Sequence, residues 1–257
     1  MSRDAASIQD FAGKVALVTG GATGIGEAAA ALFAVRGATV VIAGRRRDVG
    51  EAAAAKIVAA GGRAEFAEVD VAKPDEVAAL HDGIEARHGG LDVAFDNAGY
   101  REPRGPLAEQ PLDQYDQVFD TNVRGVVCCL QRQVAAMRRR GGGAIVVNAS
   151  VSGLRNPNPG FALYSASKAA VISLVRAAAM EHAAEGIRIN ALAPGRVATE
   201  MVLSSAHASP EEIAAGLPIR RMGTPEEAAE AAVWLASDAA SYVVGHVLCA
   251  DGGFMAS

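Results

Sequence analysis

Cysteine, excess basic charge and long apolar runs are all scarce in this chain, and each scarcity removes a class of protein. The three cysteines, Cys128, Cys129 and Cys249, are an odd number without metal-ligand spacing. Each lies in an apolar run, which implies reduced, buried thiols rather than a disulfide framework. The histidines at 81, 88, 182, 207 and 246 are scattered and suggest no metal site. A net charge of −5 argues against a nucleic-acid surface. Basic residues cluster only at Arg45-Arg46-Arg47 and Arg138-Arg139-Arg140. No apolar stretch approaches the ~20 residues a membrane span requires. The opening Met-Ser-Arg-Asp-Ala-Ala-Ser lacks the apolar region of a signal peptide, so a cytoplasmic location is expected.

What is present is ordinary for a globular protein: 257 residues, 51% apolar and 21% charged. That length fits one large α/β domain, which buries a substantial core without staples. Short apolar runs at 14–19, 38–43, 63–69, 91–96, 144–148, 187–192 and 243–250 read as strands. Continuous rather than alternating apolar residues are what a parallel strand buried on both faces requires. Alanine-rich stretches at 27–36, 47–60, 74–88 and 112–139 read as helices between them. Glycines at 37, 61, 62, 89, 90 and 141–143 stand where those helices should stop. Pro74-Asp75-Glu76 and Thr224-Pro225-Glu226-Glu227 read as helix starts. Alternating elements predict a mostly parallel sheet with helices on both faces and ligands beyond the carboxyl ends of the strands. The rhythm breaks only at residues 194–221, an irregular segment that reads as a substrate lid.

Three motifs carry chemistry. The first is Thr19-Gly20-Gly21-Ala22-Thr23-Gly24-Ile25-Gly26, which follows the first strand and opens a helix. Glycines are needed there for a tight turn and for close approach of a pyrophosphate to the helix-start amides. The second is the end of the second strand, where Gly44 stands in the position at which NAD-selective proteins place a carboxylate. Arg45 and Arg46 follow it, and a guanidinium suits the 2′-phosphate of NADP(H). NADP(H) is therefore the expected cofactor, with NAD(H) as second choice.

The third motif is Tyr164-Ser-Ala-Ser-Lys168, four residues from phenol to ammonium and hence one helical face. Free tyrosine titrates near 10, so about 0.1% is phenolate at neutral pH. A neighbouring cation favours the charged form and makes the phenol a better acid-base catalyst. Ser150 lies fourteen residues earlier, ahead of its competitor Ser152 because it directly ends the fifth strand. Asn122 precedes both, inside a helical stretch.

With these residues in hand the chain resembles the classical short-chain dehydrogenase/reductase family, over nearly all of residues 13–253. Asp70-Val71 resembles the family's adenine contact, and Asp96-Asn97-Ala98-Gly99 its Asn-Asn-Ala-Gly motif with aspartate in first position. Pro194-Gly195-Arg196-Val197-Ala198-Thr199 resembles its Pro-Gly-x-Val-x-Thr. The resemblance implies a Rossmann-like, doubly wound fold with a seven-stranded parallel sheet. It implies cofactor contacts from Gly20, Thr23, Gly24, Ile25, Gly26, Asp70, Val71, Asn97, Ala98 and Gly99. Further contacts are implied for Tyr164, Lys168, Pro194, Gly195, Val197 and Thr199. It also implies roles. Tyr164 donates the proton to a carbonyl, Lys168 holds the nicotinamide ribose and lowers the tyrosine's pKa, Ser150 binds the carbonyl oxygen, and Asn122 holds a proton-relaying water.

The expected activity is hydride transfer between NADP(H) and a partly apolar ketone or secondary alcohol. An NAD-linked sugar, polyol or steroid dehydrogenase of the same family and a non-catalytic cofactor-binding protein are the alternatives. The substrate walls fall at 100–106, 154–163 and 200–217, including Tyr100, Phe161, Met201 and His207. Arg101, Arg104 and Arg155 near the mouth read first as solvated loop residues, with an anionic substrate group as the alternative. The expected partners are a small molecule and other copies of the chain, with no nucleic acid and no membrane. The resemblance implies a homotetramer built through residues 112–139, 161–185 and the last strand.

Overall fold

A computed structural model of the chain describes residues 9–155, 159–204 and 209–257. Its seven parallel strands are β1 (Val15–Thr19), β2 (Thr39–Gly44), β3 (Arg63–Glu68), β4 (Val93–Asp96), β5 (Gly143–Asn148), β6 (Ile187–Pro194) and β7 (Val247–Ala250). They are ordered β3-β2-β1-β4-β5-β6-β7. The helices α1 (Gly24–Val35), α2 (Arg47–Ala59), α3 (Pro74–His88), α4 (Leu112–Phe119), α5 (Gly125–Arg140) and α6 (Ala162–His182) carry most of the crossovers. Two short helices, α7 (Glu200–Leu203) and α8 (Pro210–Ala215), precede α9 (Pro225–Ala236).

The continuous apolar runs are explained by burial on both faces. Ala16, Val18, Val40, Ile42, Phe95 and Val146 face α1 and α9 with Ala29, Ala30, Phe33 and Ala232. The alternate residues Leu17, Val41, Ala94, Ile145 and Ile189 face Leu80, Ile84, Leu130, Val134, Val171 and Val175 of α3, α5 and α6. A one-residue slip of any inner strand would exchange these sets between layers, so register is strongly specified. α9 starts with a reciprocal capping box between Thr224 and Glu227, as its cap-proline-acid signal predicts.

Two elements depart from expectation. The long helix over 112–139 is interrupted by a π-turn at Asp120–Arg124 that holds Asn122. Wide turns of this kind occur often at functional sites. The last strand begins at Val247 rather than 243, because Gly245 turns the chain through a positive φ of 68°. Asn190 secures that turn, donating to the Val243 carbonyl at 2.8 Å and accepting from the His246 amide at 2.9 Å.

Strand order reverses between β1 and β4, each feeding a loop at its carboxyl end. In a sheet of this topology the crevice at that reversal is where ligands bind.

Candidate active site

The β1–α1 turn is held against β4 by one hydroxyl. Thr19 Oγ1 accepts from the Asn97 and Ala98 amides at 3.0 and 3.1 Å. Asn97 Nδ2 donates back to the Thr19 and Gly20 carbonyls, and its Oδ1 accepts from Asn148 Nδ2 at 2.8 Å. The Asn97 side chain is thus a rivet joining β1, β4 and β5. Gly20 and Gly24 have φ of 62° and 58°, conformations that a side chain would strain. Gly26 serves packing instead: a Cβ there would lie 2.3 Å from the Gly20 carbonyl oxygen.

A cleft of about 420 Å³ opens beyond these loops. Gly20, Thr23, Gly24 and Ile25 form one wall, and Asn97, Ala98 and Gly99 another. Arg45, Arg46, Asp70 and Val71 line one end, with Thr199 on the lid side. Thr121, Asn148, Glu200 and Met201 also line it and were not singled out by the sequence pattern. Gly26, Pro194, Gly195 and Val197 lie behind the lining. Pro194 ends β6, Gly195 packs on Asp251, and buried Val197 pairs with Gly223 in an isolated bridge. Arg46 donates to Thr23 Oγ1 at 3.4 Å and lies 3.9 Å from Glu200. Arg45 is exposed, and no carboxylate pairs with it among the described residues.

Tyr164 and Lys168 stand on one face of α6, with the ammonium 5.7 Å from the phenol ring centre. The Ser150 hydroxyl hydrogen-bonds the phenol and also accepts from the Ser152 amide at 3.1 Å. Ser150 is therefore the serine brought to the tyrosine. Lys168 is 4% exposed and donates to the Asn148 carbonyl at 2.6 Å. Burial lowers it to about 8. Burial pushes the Tyr164 phenol above its ordinary value, opposed by the Ser150 hydrogen bond and by the charges of Arg101 and Arg196. The Lys168 ammonium is desolvated and donates to the Asn148 carbonyl, and the charges of Arg101 and Arg196 also favour the phenolate.

Asn122 is fully buried in the π-turn, and its side chain is committed to protein partners. Oδ1 accepts from the Tyr100 amide at 2.7 Å, while Nδ2 donates to the Tyr100 carbonyl at 2.8 Å and to Ser167 Oγ at 2.9 Å. It couples the loop after β4 to the residue beside Lys168.

Sequence reasoning missed Glu102. This carboxylate is 2% exposed and accepts from the Leu163 and Tyr164 amides at 3.0 and 3.1 Å. It caps the helix that bears the phenol, because the N-cap residue Phe161 offers no side-chain bond. An acid in an irregular loop gives no sequence signal for such a distant partner. Arg155 is drawn away from the mouth to the Phe254 carbonyl at 3.3 Å. His207 lies outside the described residues. Among those residues no helix is long and apolar enough to cross a membrane, and no group of side chains is set to hold a metal.

A parallel sheet with a glycine-lined crevice at its reversal point defines a Rossmann-like dinucleotide-binding fold. The family model described as enoyl-(acyl carrier protein) reductase matches residues 20–255. The chain is 45% identical over 246 residues to cis-4-hydroxycyclohexanecarboxylate dehydrogenase of Sinomonas cyclohexanicum, covering 96% of this chain and 98% of that protein. It is 43% identical to 2,5-dichloro-2,5-cyclohexadiene-1,4-diol dehydrogenase of Sphingobium indicum, covering 97% and 100%. A structure from Beutenbergia cavernae, described as a proposed NAD(P)-dependent gluconate 5-dehydrogenase with bound NADP at low occupancy, superposes with a TM-score of 0.90. That protein is 39% identical, with 96% of this chain and 98% of that chain covered. The chain belongs to the short-chain dehydrogenase/reductase family, whose members named here are oxidoreductases.

Proposed function

We propose that this protein moves a hydride between NADP(H) and a cyclic ketone or secondary alcohol, with Tyr164 as proton donor or acceptor. The observation that carries the reading is the convergence of Ser150, Tyr164 and Lys168 beside the glycine-lined cleft. That cleft suits a dinucleotide. Gly20 and Gly24 keep the backbone bare beside the start of α1, whose free amides favour a phosphate. Among the described residues no donor reaches the buried Oδ1 of Asn148, which lines the cleft. The nicotinamide supplies or accepts the hydride when bound.

The chain's residues handle the proton and the oxygen. Ser150 donates to the substrate oxygen and fixes it beside the phenol, where a pre-aimed donor stabilises developing charge. Tyr164 protonates that oxygen during reduction and takes the proton back during oxidation. Burial lowers Lys168 to about 8, which eases release of its proton. Asn122 positions Tyr100 and Ser167, so a relaying water would be held by backbone groups of the π-turn rather than by its side chain.

The exposed Arg45, at the end of β2 and without a carboxylate partner among the described residues, supports NADP(H) over NAD(H). Gly44 beside it has no side chain with which to repel the extra phosphate. The ring in the proposed substrate rests on the two relatives named above, whose substrates are cyclohexane and cyclohexadiene alcohols. Residues 194–221 are proposed as the lid of one catalytic domain spanning the chain, and a cytoplasmic homotetramer is the proposed assembly. Exposed Leu112, Tyr115 and Met180 lie on α4 and α6, the helices through which it would form.

The test is Tyr164→Phe assayed on a panel of cyclic ketones and alcohols with both cofactors. General acid catalysis contributes ~10²–10⁴-fold, so turnover should fall at least ~100-fold. A loss below tenfold would exclude Tyr164 as the acid.

A further inference from the structure

The three arginines after β2 are not equivalent. Arg47 opens α2 and is committed to Glu68 at the end of β3, at 2.7 Å, and to Glu51 at 3.4 Å. Arg45 and Arg46 both line the cofactor cleft, and among the described residues Arg45 has no carboxylate partner. Arg46 touches both the glycine turn and the segment read as the lid. Its Nη2 donates to Thr23 Oγ1 at 3.4 Å, and its Nη1 lies 3.9 Å from Glu200, the first residue of α7.

Packing by its neighbours brings Glu200 to this corner. Thr199 lies against the glycine turn, where a Cβ on Gly24 would meet Thr199 Cγ2 at 3.2 Å. Val197 is buried and is held by its bridge to Gly223. The ion pair itself, at 3.9 Å between two exposed side chains, adds little to stability. Its importance lies in where it places a carboxylate: in the wall of a cleft that suits a polyanion. Among the described residues the other acid lining that cleft is Asp70, whose Oδ1 accepts from the Ala72 amide. Glu200 is thus the acid that faces the arginines meant for the cofactor.

We infer that Glu200 is a cofactor-selectivity residue: it competes with the 2′-phosphate of NADP(H) for Arg46 and so lowers the preference for NADP(H). This rests on the dinucleotide reading above. A phosphate monoester carries about −1.5 to −2 charges at neutral pH, so it draws the guanidinium away from a carboxylate, and breaking that contact subtracts from its binding. Arg45 has no carboxylate to release and receives the phosphate without this cost. NAD(H) has a bare hydroxyl at the same ribose and does not compete. The pyrophosphate is common to both cofactors, so whatever Glu200 does to it drops out of their ratio.

Isothermal titration calorimetry of NADP⁺ and NAD⁺ into the wild type, Glu200→Gln, Arg46→Met and the double variant gives the ratio of the two dissociation constants in each protein. Glu200→Gln should raise the preference for NADP⁺ about three- to tenfold, tightening NADP⁺ and leaving NAD⁺ within about twofold. In the Arg46→Met background the same substitution should move the preference by less than about twofold, because no guanidinium is left to compete for. An unchanged ratio in Glu200→Gln, or an equal gain with and without Arg46, overturns the inference while leaving the dinucleotide site intact. Weaker NAD⁺ binding in Glu200→Gln also overturns it, because the carboxylate would then be serving the ribose hydroxyls. A wild type that binds neither cofactor refutes the dinucleotide reading and the inference with it. Melting curves of the cofactor-free variants confirm that each is folded.

Discussion

Replacing Asp96 by asparagine should stabilise the protein in a way that depends on pH. Asp96 ends β4 between β1 and β5 and is 3% exposed. Gln133 Nε2 donates to its Oδ1 at 2.7 Å, while Oδ2 has no partner among the described residues. Burial raises the carboxyl from its ordinary 3.8 to about 7, and the Gln133 hydrogen bond offsets only part of this. Because the folded value lies above the unfolded one, the folded chain retains a proton that the unfolded chain has released. Stability from this group is complete below about 4, declines as pH rises through 5 and 6, and levels off above about 7. From pH 5 to pH 8 the folded chain forgoes roughly two pK units, or about 2 kcal/mol once relaxation of the site is allowed for. Asparagine does not titrate. At ~2–4 °C per kcal/mol for a chain of this size, Asp96→Asn should gain roughly 4–8 °C on the wild type between those pH values. Melting curves in one buffer mixture across pH 5–8 test this. Curves for the two proteins that stay parallel throughout would show that Asp96 is ionised at no unusual cost, and the reasoning would fail.

Two further outcomes follow from the site. Arg45→Ala should lower the preference for NADP over NAD by roughly 10- to 150-fold, the range for one charge-assisted hydrogen bond of ~1.5–3 kcal/mol. Steady-state kinetics with both cofactors measure it, and wild-type efficiency with NAD(H) equal to NADP(H) would contradict the assignment. Glu102→Ala leaves the Leu163 and Tyr164 amides without their acceptor. It should cost about 1–3 kcal/mol in stability and lower kcat more than it changes KM, whereas a kcat equal to wild type would show the cap does not position the phenol.

How much of this was legible in the sequence depends on the range of the interactions involved. The parallel sheet was legible because burial on both faces writes a continuous apolar run, as in 14–19 and 38–43. The glycine turn and the Tyr164–Lys168 pair were legible because their partners lie within one or two helical turns. The π-turn at Asp120–Arg124 was not, since its residues keep the pattern of an ordinary helix. What widens the turn is the Asn122 side chain bonding Tyr100 and Ser167, 22 and 45 residues away. Glu102 was illegible for the same reason.

The electrostatics of Tyr164 carry that point furthest. Four-residue spacing put Lys168 beside the phenol and suggested that its charge lowers the pKa. Spacing along a helix, however, says nothing about desolvation, and Lys168 is enclosed, with its ammonium donating to the Asn148 carbonyl. Two further cations that favour the phenolate, Arg101 and Arg196, arrive from loops 63 and 32 residues away in the chain, where no local spacing could announce them.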